Sequence, residues 1–219
     1  MSTINMQSVN KTLDSLKKNN MEVYFCENSE KARELVKSLM KKGDTVSHGG
    51  SVTLAQTGIT DILKNGDYNY LDRSAAGSRE EIEEIYRKTF SADVFLTSAN
   101  AITENGELYN VDGNSNRVAA ILYGPDSVIV IAGYNKIVPD INAAIKRVKE
   151  VAAPLNTKRL NCDTYCAKEN KCVSLNNENS LICDGCHSEQ RICCNYVVSA
   201  QQRKKNRIKV IIVGEELGY

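Results

Sequence analysis

The chain has 219 residues, of which 42% are apolar and 25% charged, and a formal net charge of +1. That length suits one domain, or one domain with a small appendage, and is enough to bury a sizeable core. The balanced charge argues against general nucleic-acid affinity, and the longest apolar runs, SVIVIAG and RIKVIIVG, are too short to cross a bilayer.

The opening stretch MSTINMQSVNKTLDSLKK has no apolar signal core, so a cytoplasmic protein is expected. Val9, Leu13 and Leu16 recur at helical spacing, and MEVYFC (21–26) reads as a strand. Ala32, Leu35, Val36, Leu39 and Met40 then mark one face of an amphipathic helix. TVSHGG reads as a short strand running into a glycine loop. VTLAQTGITDILKNG reads as a helix weakened by Thr and Gly, and YNYLD as a short strand. Ser78 with Glu81 forms a capping box ahead of a helix whose apolar face is Ile82, Ile85 and Phe90.

ADVFLTSA and SVIVIAG are continuous apolar runs, the pattern of parallel strands covered on both faces. Between them, ITENGELYNV reads as a hairpin, with Asn105-Gly106 and Asp112-Gly113 supplying positive φ. DINAAIKRVKEVAAPL is a helix expected to stop near Pro154. CNYVVSAQ and RIKVIIVGE follow the cysteine region as two strands, expected to form a terminal hairpin around the basic turn QQRKKN. The expected fold is therefore α/β, a layered and mostly parallel sheet with helices on both faces. The expected units are a main domain (1–155), a cysteine-rich insertion (156–194) and a hairpin returning to the main domain (195–219).

Two loops carry groups suited to a ligand. SHGGS (47–51) joins a strand to a helix, and its glycines let backbone approach a ligand closely. His48, Gly49, Gly50 and Ser51 are candidate binding residues there; the plainer reading is a tight turn with Ser51 as helix cap. TENGELYNVDGNSNR places Glu104, Asn105, Gly106, Asp112, Asn116 and Arg117 after a buried strand, where α/β sheets bind ligands. Glu104 could act as base or nucleophile. Arg117 could receive a carboxylate in bidentate fashion, or pair with Glu104 or Asp112. The two loops are expected to meet on one rim of the sheet.

Seven of the eight cysteines fall within the 33 residues from Cys162 to Cys194. Such local density favours a metal site over a disulfide framework. Cys183 and Cys186 have knuckle spacing, and four thiolates can close a zinc site or hold an iron–sulfur cluster. Cys26, alone on its strand, reads as a small core residue.

Over nearly its whole length the chain resembles the LUD-domain family of lactate-utilisation proteins. The carriers are HGGSVTLAQTGI, LDRSAAGS, TSANAITENGELYNVDGNSNRVAAILYGP, IVIAGYNKIV and RIKVIIVGEELGY. The resemblance implies a ribose-isomerase/CoA-transferase-like fold. It also implies a role as subunit or accessory in oxidising L-lactate to pyruvate beside iron–sulfur oxidoreductase partners. TYCAKENKC and CDGCHSEQRIC are similar to the cysteine tail of shorter members, which points to Cys166, Cys172, Cys186 and Cys193 as metal ligands, with Cys162, Cys183 and Cys194 as additional candidates. TENG resembles the S-E-N-G turn of CoA transferases. This supports an alternative, a stand-alone enzyme acting on a CoA ester or sugar phosphate through Glu104. A non-catalytic metal-binding scaffold is a further alternative. The expected ligand is a small anion; neither membrane nor nucleic-acid binding is expected, and homo-oligomerisation is left open.

Overall fold

The computed structural model describes residues 4–219. Helix α1 (Met6–Lys18), capped by the Asn5 side chain, leads into strand β1 (Glu22–Cys26). Helix α2 (Ser29–Ser38) precedes β2 (Thr45–His48), which is followed by two short helices, α3 (Val52–Gln56) and α4 (Ile59–Asn65). The single helix expected over this stretch breaks because Thr57 Oγ1 donates back to the Thr53 and Leu54 carbonyls and Gly58 takes a φ of +70°. Strand β3 (Asn69–Tyr70) and helix α5 (Arg79–Thr89) come next. The Ser78 hydroxyl caps the Glu81 N–H, while the Glu81 carboxylate reaches back to the Gly77 N–H.

Beyond them lie β4 (Val94–Thr97), the hairpin β5 (Ala101–Thr103) and β6 (Leu108–Asp112), helix α6 (Asn116–Leu122), β7 (Ser127–Gly133) and β8 (Ile137–Val138). Helix α7 (Ile141–Arg147) does not stop near Pro154. It passes through a π turn, Val148–Ala152, into α8 (Ala153–Arg159). In a π register the residue five ahead of Lys149 is Pro154, which has no N–H to give. The Lys149 carbonyl instead accepts from the Cys172 N–H at 2.9 Å, which ties the cysteine region to the helix. Helix α9 (Tyr165–Glu169), β9 (Asn195–Ser199) and β10 (Ile208–Val213) complete the chain.

Six strands form one parallel sheet in the order β1-β10-β7-β4-β2-β3. Its side chains alternate between two cores. Val128, Val130, Val210 and Ile212 face α1 and α6, while Ile129, Ile131, Ile211 and Val213 face α2, α3 and α4. Burial on both faces is what the continuous apolar runs require.

The terminal hairpin is not formed. β9 pairs antiparallel with β6 at the edge of a second sheet ordered β8-β5-β6-β9, whereas β10 lies between β1 and β7 in the main sheet. Composition explains the split: IKVIIV is buried almost throughout and belongs inside a sheet, while NYVVS is largely half-buried and suits an edge. The basic connection is only partly a solvated turn. Arg203, Lys204 and Lys205 are exposed, but buried Arg207 donates to the carbonyls of Ala120, Ile121 and Pro125, closing the end of α6.

Candidate functional site

At the carboxyl ends of β2, β4 and β7 the chain forms a half-open cavity of about 660 Å³. Gly50 to Thr53 follow β2, Ser98 to Asn100 follow β4, and Lys136 follows β7. The far wall comes from β6 and the loop after it, from α8, and from residues 189–194 of the cysteine region. Among the lining residues are five cationic side chains, Arg73, Arg117, Lys136, Arg159 and Arg191, against the carboxylates Asp112 and Glu189.

These cations differ in how much of their hydrogen-bonding capacity the protein already uses. Arg117 is largely desolvated and saturated. Its Nη1 donates to the Ser98 carbonyl and Asn110 Oδ1, its Nη2 to Asn100 Oδ1 and the Val111 carbonyl, and its Nε lies 3.6 Å from Asp112 Oδ2. It knots the ends of β4 and β6 together. Desolvation lowers its pKa, offset in part by Asp112. Arg191 is similarly committed, to the carbonyls of Cys183, Cys186 and Cys193 and to the Tyr196 hydroxyl.

Arg73 is freer. Its guanidinium carbon lies 5.9 Å from the centre of the Tyr86 ring, and its only side-chain hydrogen bond among the described residues is a 3.4 Å contact with the Tyr86 hydroxyl. Glycine at position 50 makes room for it, since a Cβ there would stand 2.6 Å from Arg73 Nη2. Gly49 does the same for Arg117, whose Cδ would lie 2.9 Å from such a Cβ. Arg159 bonds Asn156 and Tyr219 through Nε and Nη2.

Lys136 is the residue that sequence reasoning missed. It is 3% exposed, and its Nζ donates to Thr53 Oγ1 and Ser98 Oγ, both at 3.0 Å. Among the described residues no carboxylate lies within ion-pair distance of it. Burial, with the Arg147 and Arg117 cations adding to it, pushes its pKa down to about 7. Its one sequence signal is a lone lysine in the apolar run IVIAGYNKIV, just past the carboxyl end of a buried strand.

The other expected residues divide. Gly50, Ser51, Asp112, Asn116 and Arg117 line the cavity. Ser51 is the helix cap, its Oγ accepting from the Leu54 N–H. Asp112 is paired with Arg117 and accepts from the Val118 N–H at the start of α6. The expected positive φ after Asp112 falls on Ser115, at +64°, and not on Gly113. His48 turns aside: its ring stacks on Tyr70, its Nδ1 meets the Gly49 carbonyl at 2.6 Å, and burial lowers its pKa, so it is a neutral N–H donor.

The TENG turn does not meet the glycine loop at the cavity. Glu104, Asn105 and Gly106 are absent from its lining and pack on α1. The Glu104 carboxylate accepts from the Ser8 hydroxyl at 2.6 Å and pairs with Lys11 at 2.8 Å, which together hold it below the ordinary glutamate range. Gly106, at φ +84°, sits so close to α1 that a Cβ would come within 2.6 Å of Ser15 backbone. The hairpin's turn chemistry thus serves its docking on the first helix.

All eight cysteines are free thiols. Cys166, Cys172, Cys186 and Cys193 converge on one narrow cavity of about 30 Å³ beside the larger one, and Cys193 lines both. The donor type suits zinc or an iron–sulfur cluster, but the spacing does not close. Among the described residues no three His, Cys, Asp or Glu side chains are grouped so as to hold an ion. Cys166 lies beside the Thr157 and Thr164 hydroxyls, and Cys172 accepts from Ser174. Burial and the neighbouring thiols push Cys193 up to about 12, so it is protonated at neutral pH. Of the additional candidates, Cys162 and Cys194 line the larger cavity, and Cys183 is exposed.

The family model described as the LUD domain matches residues 9–213. The chain belongs to the LUD-domain family. It is thereby a lactate-utilisation-related protein. A DUF162 family protein from Deinococcus radiodurans has a similar fold, at 13% identity and a TM-score of 0.52, with 97% of this chain and all of that one covered. Partial overlays reach eIF2B beta from Chaetomium thermophilum (14% identity, TM-score 0.36, 62% of this chain and 48% of that one). They also reach ribose 5-phosphate isomerase from Plasmodium falciparum (16% identity, TM-score 0.32, 51% of this chain and 52% of that one). No curated protein matches the LUD-domain chain. None of its helices among the described residues is long and apolar enough to cross a membrane.

Proposed function

We propose that this LUD-domain protein serves a cytoplasmic system oxidising L-lactate to pyruvate, as a subunit or accessory of iron–sulfur partner proteins, and that its cavity holds a small carboxylate such as either of these acids. The observation that carries the reading is the charge of the cavity. The Asp112 carboxylate is already spent on Arg117, while the Arg73 guanidinium has no carboxylate partner among the described residues. A guanidinium with open donors at the wall of a polar cleft is a receptor for a carboxylate. Calorimetric titration with L-lactate and with pyruvate tests this. Binding of at least one acid is expected, weakened about tenfold by Arg73→Gln through loss of a charge-assisted hydrogen bond. Absence of heat with both acids contradicts the reading.

The convergence of Cys166, Cys172, Cys186 and Cys193 on one cavity favours a second element, in which these sulfurs draw closer than their present spacing to hold zinc or an iron–sulfur cluster. A bound ion would deprotonate the thiols and supply either a structural clasp for residues 156–194 or a redox centre. Metal and acid-labile sulfide analysis of anaerobically purified protein tests it. A folded protein free of both counts against it.

A further inference from the structure

We propose that Lys136 is a covalent amine nucleophile, capturing the carbonyl carbon of a 2-oxo acid as an imine in the cationic cavity. The inference rests on the carboxylate-binding reading above and names the chemical class that this site would hold covalently.

The geometry has four parts. First, Lys136 is buried, yet the residue lines the cavity together with Thr53 and Ser98, so it is shielded from bulk water while standing at the cavity wall. Second, two of its N–H bonds are committed to the Thr53 and Ser98 hydroxyls, and among the described residues no protein acceptor takes its third valence. In the neutral amine that valence is the nucleophilic lone pair. Third, the charged groups facing it are cations: Arg117 from α6 and Arg147 from α7, the latter held by the Asn100 and Asn135 carbonyls. Cations crowding a desolvated lysine favour its neutral form, a recurrent way of activating an amine towards carbonyls. Fourth, Arg73 lines the same cavity with most of its donors unused, which suits it to a carboxylate. Gly218 keeps the approach clear, because a Cβ there would press on Nζ at 3.3 Å and on Thr53 Oγ1 at 2.5 Å.

The step balances without a redox partner. The Nζ lone pair forms a bond to C2 of the oxo acid, and the carbonyl π electrons move to oxygen, which takes a proton from nitrogen. The resulting carbinolamine loses its hydroxyl group as water, with the second nitrogen proton, leaving a C=N bond. The Ser98 and Thr53 hydroxyls, hydrogen-bonded to Nζ, are placed to pass these protons. L-lactate has no carbonyl, so it occupies the site without this bond; pyruvate makes it.

The test is reductive trapping. The full chain is incubated with pyruvate and sodium cyanoborohydride at pH 8, and the adduct is counted by intact mass and located by peptide mapping. With a pKa of about 7, most of Lys136 is neutral at pH 8, whereas an ordinary lysine is about 300-fold less so. The expected result is one adduct per chain, on Lys136, suppressed by excess L-lactate, lost in Lys136→Met, and forming several-fold more slowly at pH 6. Calorimetry with L-lactate on the same preparation separates the two claims. If lactate binds but pyruvate leaves no adduct, or leaves adducts scattered over exposed lysines, the covalent role is overturned and the carboxylate site stands. If neither acid binds and nothing is trapped, both are overturned.

Discussion

Replacing Lys136 with Met removes the amine while keeping a flexible side chain of similar length, and the consequence can be worked out from burial. In the folded chain the ammonium is suppressed until the pH falls to about 7, against 10.5 for an unperturbed lysine. Between those values the unfolded chain binds one proton more than the folded one at this position. Stability therefore rises with pH across the window, by about 1.4 kcal/mol per pH unit, and is lost again as pH falls towards 7. From pH 7 to pH 9 the wild type should gain about 2 kcal/mol from this group alone, allowing for partial titration near pH 7. Other titrating groups contribute equally to both proteins, so they cancel in the difference. Urea unfolding followed at pH 7, 8 and 9 measures it. The stability of Lys136→Met should rise about 2 kcal/mol less than that of the wild type over this range. Parallel stability curves for the two proteins would refute the claim that a desolvated amine lines the cavity.

Arg117→Met should destabilise the fold by about 2–4 kcal/mol, because it leaves half-buried Asp112 without its cation and several carbonyls without a donor, and urea midpoints would show it; a change within about 0.5 kcal/mol would contradict its role as the knot between β4 and β6. Glu104→Gln removes a half-exposed pair with Lys11 and should cost under about 1 kcal/mol while leaving carboxylate affinity unchanged. Because the Glu104 carboxyl is held below its ordinary range, its small contribution should fade only as pH drops through that lowered value, and a lactate-binding defect in this variant would restore it to the site. At pH 8 a disulfide-exchange reagent should modify exposed Cys183 and Cys194 rapidly and Cys193 slowly, as mapped by mass spectrometry; rapid labelling of Cys193 would contradict its raised pKa.

The main sheet was legible in the sequence because its signals are local. SVIVIAG and VFLT can be nothing but covered strands, and Ser78 with Glu81 announces a helix start without reference to the rest of the chain. The partner of a strand is not local. NYVVS and IKVIIV are neighbours in sequence, and only the depth of burial demanded by the second sends it to the middle of one sheet while the first edges another. The candidate site was half legible for the same reason. Gly50 and Ser51 sit in the loop after β2, Asp112 ends β6, and Asn116 and Arg117 open α6 just beyond it, so short stretches after two strands meet at one cavity. Glu104 occupies an equally suggestive turn, but β5 and β6 carry that turn out onto α1. Lys136 gave almost no warning, since a lysine after an apolar strand ordinarily reaches solvent; here α3 and the end of β4 close over it.

A crystal of the protein grown with L-lactate tests the central claim most directly. The account predicts density for a carboxylate within hydrogen-bonding distance of the Arg73 guanidinium, with the rest of the acid extending towards Lys136. A cavity holding only water at saturating lactate, or lactate seated instead beside Glu104 on the far hairpin, would contradict it.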